Sequence, residues 1–147
     1  MTEPGAGQAL FSFVRHWSRR WDGVSGDERA VRGREVLAVE AVNALAHRGE
    51  PTVNDVAGEL GLDQSNASRL LAHAADAGYL AIGRSSADRR RRTVVVTASG
   101  QQLLSAAHSW QDDVFGLLTA DWKEEERAEF ARAIWRLVVK SPDLDAV

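Results

Sequence analysis

The 147-residue chain contains no cysteine. That absence excludes a disulfide scaffold, a thiolate zinc site, a cysteine nucleophile and a thiol redox switch. No apolar run approaches the roughly 20 residues needed to cross a bilayer. The opening MTEPGAGQAL carries an acid and a proline but no basic stretch, so a secretory signal peptide is not expected. There is no internal repeat and no low-complexity segment. No Ser-His-Asp set, glycine-rich phosphate loop or histidine–carboxylate pair stands at usable spacing. His16, His47, His73 and His108 never share a helical turn, so no metal site is expected. The expectation is a soluble, cytoplasmic protein that is not an enzyme, with no cofactor and no membrane partner. At roughly 100–200 residues per domain, the length suits one compact unit with its own core.

The net charge of −3 argues weakly against a nucleic-acid partner. Its distribution argues the other way. Residues 1–51 sum to 0, residues 52–100 to +1 and residues 101–147 to −4. Inside the middle stretch, Arg84–Arg92 holds five arginines against one acid. Contact with phosphates needs only local basic density, so the total is a poor guide.

Residues 1–8 are glycine-rich and polar and are expected to form a loose arm. From Leu10 the apolar positions Leu10, Phe13, Val14, Trp17 and Trp21 keep helical spacing, while Arg15, Arg19 and Arg20 lie off that stripe as a solvated face. Asp22–Gly26 reads as a break. The next segment runs to about Arg48. Its Val36, Leu37, Val39, Val42 and Leu45, with the alanines between them, cover most of a helix circumference, which marks a helix buried on most sides. Gly49 ends it and Pro51 blocks its continuation.

Thr52 has Asp55 three residues on, a capping-box pattern with Asp in place of Glu. The helix Val53–Leu60 is short, and Gly61 stops it. Asp63 or Ser65 caps a second helix whose apolar face is Ala67, Leu70, Leu71 and Ala74, and Gly78 sits where a left-handed cap belongs. Two short helices joined by a tight glycine turn have the shape of a helix-turn-helix. Tyr79–Ile82 and the β-branched Thr93–Thr97 read as strands, with the polar, basic Gly83–Arg92 between them. Ser99 or Gly100 opens a long helix to about Leu118. Thr119 or Asp121 caps a last one, whose first turn holds Glu124, Glu125 and Glu126 where the helix dipole favours anions.

This order of elements, with the stretch TVNDVAGELGLDQSNASRLLAHAADAGYLAIGRSSADRRRRTVVVTASGQQLL (residues 52–104), resembles the MarR family of winged-helix regulators. The Asp-x-Arg wing motif stands as Asp88-Arg89-Arg90. Val96-Thr97 followed by Ala98-Ser99-Gly100 resembles the family's closing of the wing strand. The resemblance covers about a third of the chain; the flanking helices match in number and length but carry no motif.

The expected fold is mainly α with a small two-stranded β-wing: a winged helix-turn-helix flanked by N- and C-terminal dimerisation helices. Residues 1–48 would be the N-terminal scaffold, 49–100 the DNA-binding region and 101–147 the C-terminal dimerisation helices, in one compact unit. The recognition helix would be residues 64–77, entering the major groove. Gln64 and Asn66 have the groups to pair with adenine, Arg69 with guanine or phosphate, and Ser65 and Ser68 with the DNA backbone. His73 falls near the open face. The resemblance implies that Arg90, at the wing tip, enters the minor groove, whose narrow form attracts arginine. Arg84, Arg89, Arg91 and Arg92 would meet phosphates, and Asp88 would orient an arginine or the wing loop.

The resemblance also implies a twofold homodimer built from the terminal helices. Phe13, Trp17, Trp21, Trp110, Phe115, Phe130, Ile134 and Trp135 offer more aromatic and apolar surface than a small domain leaves exposed. Many members of the family release DNA on binding a small anionic or aromatic effector; Trp17, Trp21, His16, Arg20 and Trp110 are residue types such a pocket uses, though each also suits a core or an interface. The function expected is a sequence-specific, double-stranded-DNA-binding repressor acting on a palindromic operator. The alternative is a winged-helix protein–protein module docking an acidic partner.

Overall fold

The structure is a computed structural model in which residues 3–20 and 27–145 are described, with side chains for 3–18 and 33–145. The expected break at Asp22–Gly26, the Trp21 position and the side chains of Arg19 and Arg20 lie outside the described residues. The chain packs as two compact units, residues 1–107 and 108–147.

In the first unit, helix α1 spans Ala6–Arg20. It starts earlier than the loose arm expected over residues 1–8, because the Gln8 side chain accepts from the Gly5 N–H at 3.1 Å and satisfies an amide the first turn leaves free. Helix α2, Asp27–Leu45, ends in a 3-10 turn over Ala46–Arg48. Its Val36, Ala38, Val39, Ala41 and Val42 are buried, as the wrap-around apolar pattern required. Leu37, counted in the same pattern, stays partly exposed at 43%.

Helix α3 is Val53–Leu60 and helix α4 is Gln64–Asp76. Both bonds of the capping box form: the Asp55 N–H donates to Thr52 Oγ1 at 3.2 Å, and the Thr52 N–H donates to Asp55 Oδ2 at 2.9 Å. The turn between α3 and α4 pivots on Gly61 at φ 63, a left-handed conformation that costs glycine little. At the far end of α4, the Gly78 N–H donates to the Ala75 carbonyl and the Tyr79 N–H to the Ala74 carbonyl. With Gly78 at φ 88, this is the Schellman arrangement that closes a helix on a left-handed glycine.

Strands β1, Leu80–Arg84, and β2, Arg92–Val96, pair antiparallel from Leu80 opposite Val96 to Arg84 opposite Arg92. The strands reach further toward the tip than expected, so Arg84 and Arg92 belong to the ladder and the loop is residues 85–91. The Ser85 N–H donates to the Arg91 carbonyl at 2.9 Å and carries the pairing one step on. The segment before α3 adds to the same sheet: Thr52 bridges Thr93, and the Val94 N–H donates to the Pro51 carbonyl at 2.9 Å. Helix α5, Ala98–Leu118, begins at the sheet's end. Its cap is Thr97 rather than Ser99 or Gly100: Thr97 Oγ1 accepts from the Gly100 N–H at 3.1 Å while donating to the Gly78 carbonyl at 2.6 Å.

One core joins these elements: Ala38, Val39, Ala41 and Val42 from α2, Val53 and Val56 from α3, Leu71 and Ala74 from α4, Leu80 and Val94 from the ladder, and Leu104 from α5. Helix α2 is thus the centre of the helix-turn-helix body, and burying its apolar face against α3, α4 and β2 is the main force that holds them together.

In the second unit, helix α6 spans Glu124–Lys140, followed by a 3-10 turn at Ser141–Leu144. Neither Thr119 nor Asp121 caps α6. Thr119 is buried and its hydroxyl donates back to the Phe115 carbonyl at 2.7 Å, closing α5 instead. The start of α6 is Lys123, whose N–H donates to Glu126 Oε2 at 3.0 Å. Phe115 stacks on Phe130 at 6.1 Å between centroids, Trp122 meets Phe130 edge-on at 5.4 Å, and the Arg127 guanidinium lies over the Phe115 ring. Phe115 and Phe130 pack against each other, and Phe130 stays 40% exposed. No described helix is long and apolar enough to cross a membrane.

Candidate nucleic-acid interface

Helix α4 is anchored by one face and open on the other. Ala67, Leu71 and Ala74 are buried; Gln64, Ser65, Asn66, Arg69 and His73 are exposed, and Ser68 is half-buried. The first turn is fixed by Asp63, whose Oδ1 accepts from the Asn66 N–H at 2.8 Å. The same carboxylate takes the Asn66 side chain: Asn66 Nδ2 donates to Asp63 Oδ2 at 2.7 Å. Arg69 in turn donates to Asn66 Oδ1 at 3.0 Å. Asp63, Asn66 and Arg69 therefore form a bonded row along the exposed surface, which holds the Arg69 guanidinium at a fixed place on α4.

The wing loop is shaped by Asp88. Its Oδ1 accepts from the Arg90 N–H at 3.0 Å, and its carbonyl accepts from the Arg91 N–H at 3.0 Å. Asp88 thus orients the loop's backbone rather than an arginine side chain, one of the two roles open from the sequence. Arg84 turns inward along the loop and donates to the Arg89 carbonyl at 2.8 Å. It acts as a brace, which offsets the cost of placing it directly opposite Arg92.

Arg90, Arg91 and Arg92 line one cleft with Gln64 and Ser68 of α4 and with Thr52, Val53, Asn54 and Asp55 at the start of α3. Its volume is about 240 Å³. Three arginines line it with one acidic residue, Asp55, whose carboxylate already accepts from the Thr52 N–H. Ser65 and Arg69 line an adjoining depression together with Gln64 and Ser68. The structure therefore gathers Gln64, Ser65, Ser68, Arg69, Arg90 and Arg91 on one face. His73 lies along α4 beyond that group and lines neither hollow.

The MarR family model matches residues 33–91 of the chain. No curated protein matches it. Among solved structures, it superposes on MarR with a TM-score of 0.72 and 19% identity, covering 99% of this chain and 97% of that one. A mutant MepR of S. aureus bound to an oligodeoxyribonucleotide gives a TM-score of 0.61 at 19% identity, covering 93% and 99%. CouR of Rhodococcus jostii bound to p-coumaroyl-CoA gives 0.57 at 19%, covering 76% and 73%.

The fold is the MarR-type winged helix. The family match begins at residue 33, inside α2, which agrees with α2 being part of the packed body rather than an appendage.

Within this MarR-type wing, one residue escaped the sequence reading. Ser85 is 8% exposed, although all its neighbours from Ser86 to Arg92 are exposed. Its hydroxyl accepts from the Ala87 and Asp88 N–H groups at 3.2 and 3.4 Å. The local cue was present, since a serine starting a polar loop commonly bonds the backbone two or three residues on. It was masked by the arginines beside it.

Proposed function

We propose that the chain is a sequence-specific, double-stranded-DNA-binding transcriptional repressor that acts as a homodimer on a palindromic site. The observation that carries this reading is the cleft in which Arg90–Arg92 of the wing stand beside Gln64 and Ser68 of α4 and the start of α3. A recognition helix reads base edges with side chains near its N-terminus. Gln64 and Ser65 occupy that end, and Gln64 can bond adenine in two places. Arginines and amides beside them meet phosphates and fix the register. Arg90 at the wing tip suits the narrow minor groove next to the major groove that α4 enters.

The dimer follows from the need to read two half-sites one helical turn apart. It is supported by apolar surface left open in each unit: Phe11 and Phe13 on α1, Trp135 and Val139 on α6. Release by a small-molecule effector belongs to the same reading, and CouR, which shares the MarR-type fold, has been seen with p-coumaroyl-CoA bound. The protein then works in the cytoplasm, where its DNA is.

Selection of bound fragments from random duplex DNA tests the reading. The expected result is a palindromic consensus whose affinity falls steeply with salt, through release of counterions from the neutralised phosphates. An asymmetric consensus removes the twofold dimer, and absence of any consensus removes sequence-specific recognition.

A further inference from the structure

Besides the core packing of Leu80 and Val94, two polar contacts that hold the wing to the body of the first unit lie in one tripeptide. The Pro51 carbonyl and Thr52 pair with Val94 and Thr93 of β2. The second point is a side-chain bond: Ser85 Oγ donates to Glu50 Oε2 at 3.2 Å, across 35 residues of sequence. Ser85 is then fully used, since its one proton goes to Glu50 and its lone pairs take the Ala87 and Asp88 amides. Asp88 passes the constraint on by accepting from the Arg90 and Arg91 amides. A continuous set of hydrogen bonds thus runs from Glu50 through Ser85 and Asp88 to the backbone of Arg90.

The next residue along, Thr52, caps α3. The tripeptide 50–52 therefore touches three things at once: the start of the wing loop, the wing ladder and the first turn of the helix-turn-helix.

We infer that Glu50 and Ser85 are positioning residues for the wing arginines, fixing where Arg90 stands relative to α4 without touching DNA themselves. The inference rests on the DNA-binding reading above. Its electrostatics are distinctive. A carboxylate close to a phosphate-binding wing opposes DNA by charge, so a favourable effect of Glu50 on binding can come only from the bond it accepts. Charge and bond therefore pull in opposite directions and can be separated.

The experiment compares Ser85→Ala, Glu50→Ala and Glu50→Gln in the full chain. It measures affinity for the selected duplex and amide hydrogen exchange over residues 85–91. Ser85→Ala and Glu50→Ala are expected to weaken binding about tenfold, the scale of one hydrogen bond to a charged group. Both are expected to speed exchange at Ala87 and Asp88 while leaving α4 amides unchanged. Glu50→Gln keeps an acceptor and is expected to restore binding and protection. Tighter binding by both Glu50→Ala and Glu50→Gln overturns the inference, because charge alone would then be the role of Glu50. Unchanged binding and exchange in Ser85→Ala and Glu50→Ala overturns it as well. Glu50 is exposed, so its variants remain informative even if Ser85→Ala fails to fold. If the unaltered chain binds no duplex and Arg90→Ala changes nothing, the DNA-binding reading fails and the inference about arginine placement falls with it. Exchange at Ala87 and Asp88 would still report separately on whether the tether exists.

Discussion

Gly100 lies directly against the backbone carbonyl of Tyr79. A Cβ built on residue 100 would overlap the Tyr79 oxygen and come within 2.7 Å of Val96 Cγ1. The obstruction is backbone, so it cannot swing aside. Gly100→Ala is expected to destabilise the fold by about 1–3 kcal/mol, the range for overpacking a tight site. Denaturant unfolding reads this directly. Gly116→Ala is the internal comparison, since its nearest neighbour is the end of the Arg127 side chain at 4.0 Å. Gly116 lies in the last turn of α5, so replacing it is expected to raise stability by about 0.5 kcal/mol.

Thr97 governs the same corner through its hydroxyl, bonded to the Gly78 carbonyl and the Gly100 amide. Thr97→Val keeps the shape and deletes both bonds. The expected loss is about 1–2 kcal/mol, as for other helix N-caps. Thr97→Ser is expected to recover most of it. Thermal unfolding of the two variants against the parent separates the hydroxyl from the methyl.

In DNA binding, the arginines and the helix should give different signatures. Arg90→Ala is expected to weaken binding to every sequence and, where it neutralises a phosphate, to lower the salt slope by about one. Gln64→Ala is expected to leave the slope nearly intact and relax preference at one base position, a discrimination of about 1–3 kcal/mol. Titration of the selected duplex and of single-base variants at several salt concentrations checks both.

Asn66 makes a sharper case. Its carboxamide already bonds Asp63 and Arg69. Asn66→Ala is therefore expected to act mainly by freeing Arg69, broadening preference where Arg69 reads, rather than by erasing an adenine contact. A complete loss of adenine preference at one position, with Arg69's position untouched, would show that the row opens on DNA.

Trp135, 66% exposed, and Val139, 73% exposed, lie one turn apart on α6. Trp135→Glu is expected to shift the chain toward monomer in sedimentation and to weaken binding to a full palindrome far more than to a half-site. An unchanged mass would place the dimer contact elsewhere.

Local chemistry was legible from the sequence, and distant chemistry was not. The bounds of α3 could be read because Thr52, Asp55 and Gly61 carry their partners within three residues. Asp63 and Gly78 bracket α4 for the same reason. The start of α5 is not legible from neighbouring residues, because Thr97 is recruited by a carbonyl 19 residues away. Thr119 looked like a cap because hydroxyls favour caps, yet it bonds backward to Phe115. Arg84 looked like one more phosphate contact, and only the register placed it opposite Arg92 and turned it onto Arg89. The Glu50–Ser85 bond left no mark on spacing or periodicity.

The pairing of Arg84 with Arg92 at the end of the ladder has an effect on the free protein that opposes its effect on the complex. Two cations share one register position on neighbouring strands, so their repulsion works against the pairing that the Arg84 bond to Arg89 supports. Salt shortens the reach of that repulsion to about 8 Å at physiological ionic strength. On the DNA-binding reading, rising salt is therefore expected to tighten the free wing while it weakens the complex. Phosphate contact would then replace the screening that mobile ions supply in solution, and the wing is expected to be most sharply defined in two opposite settings: high salt alone, or low salt on the duplex.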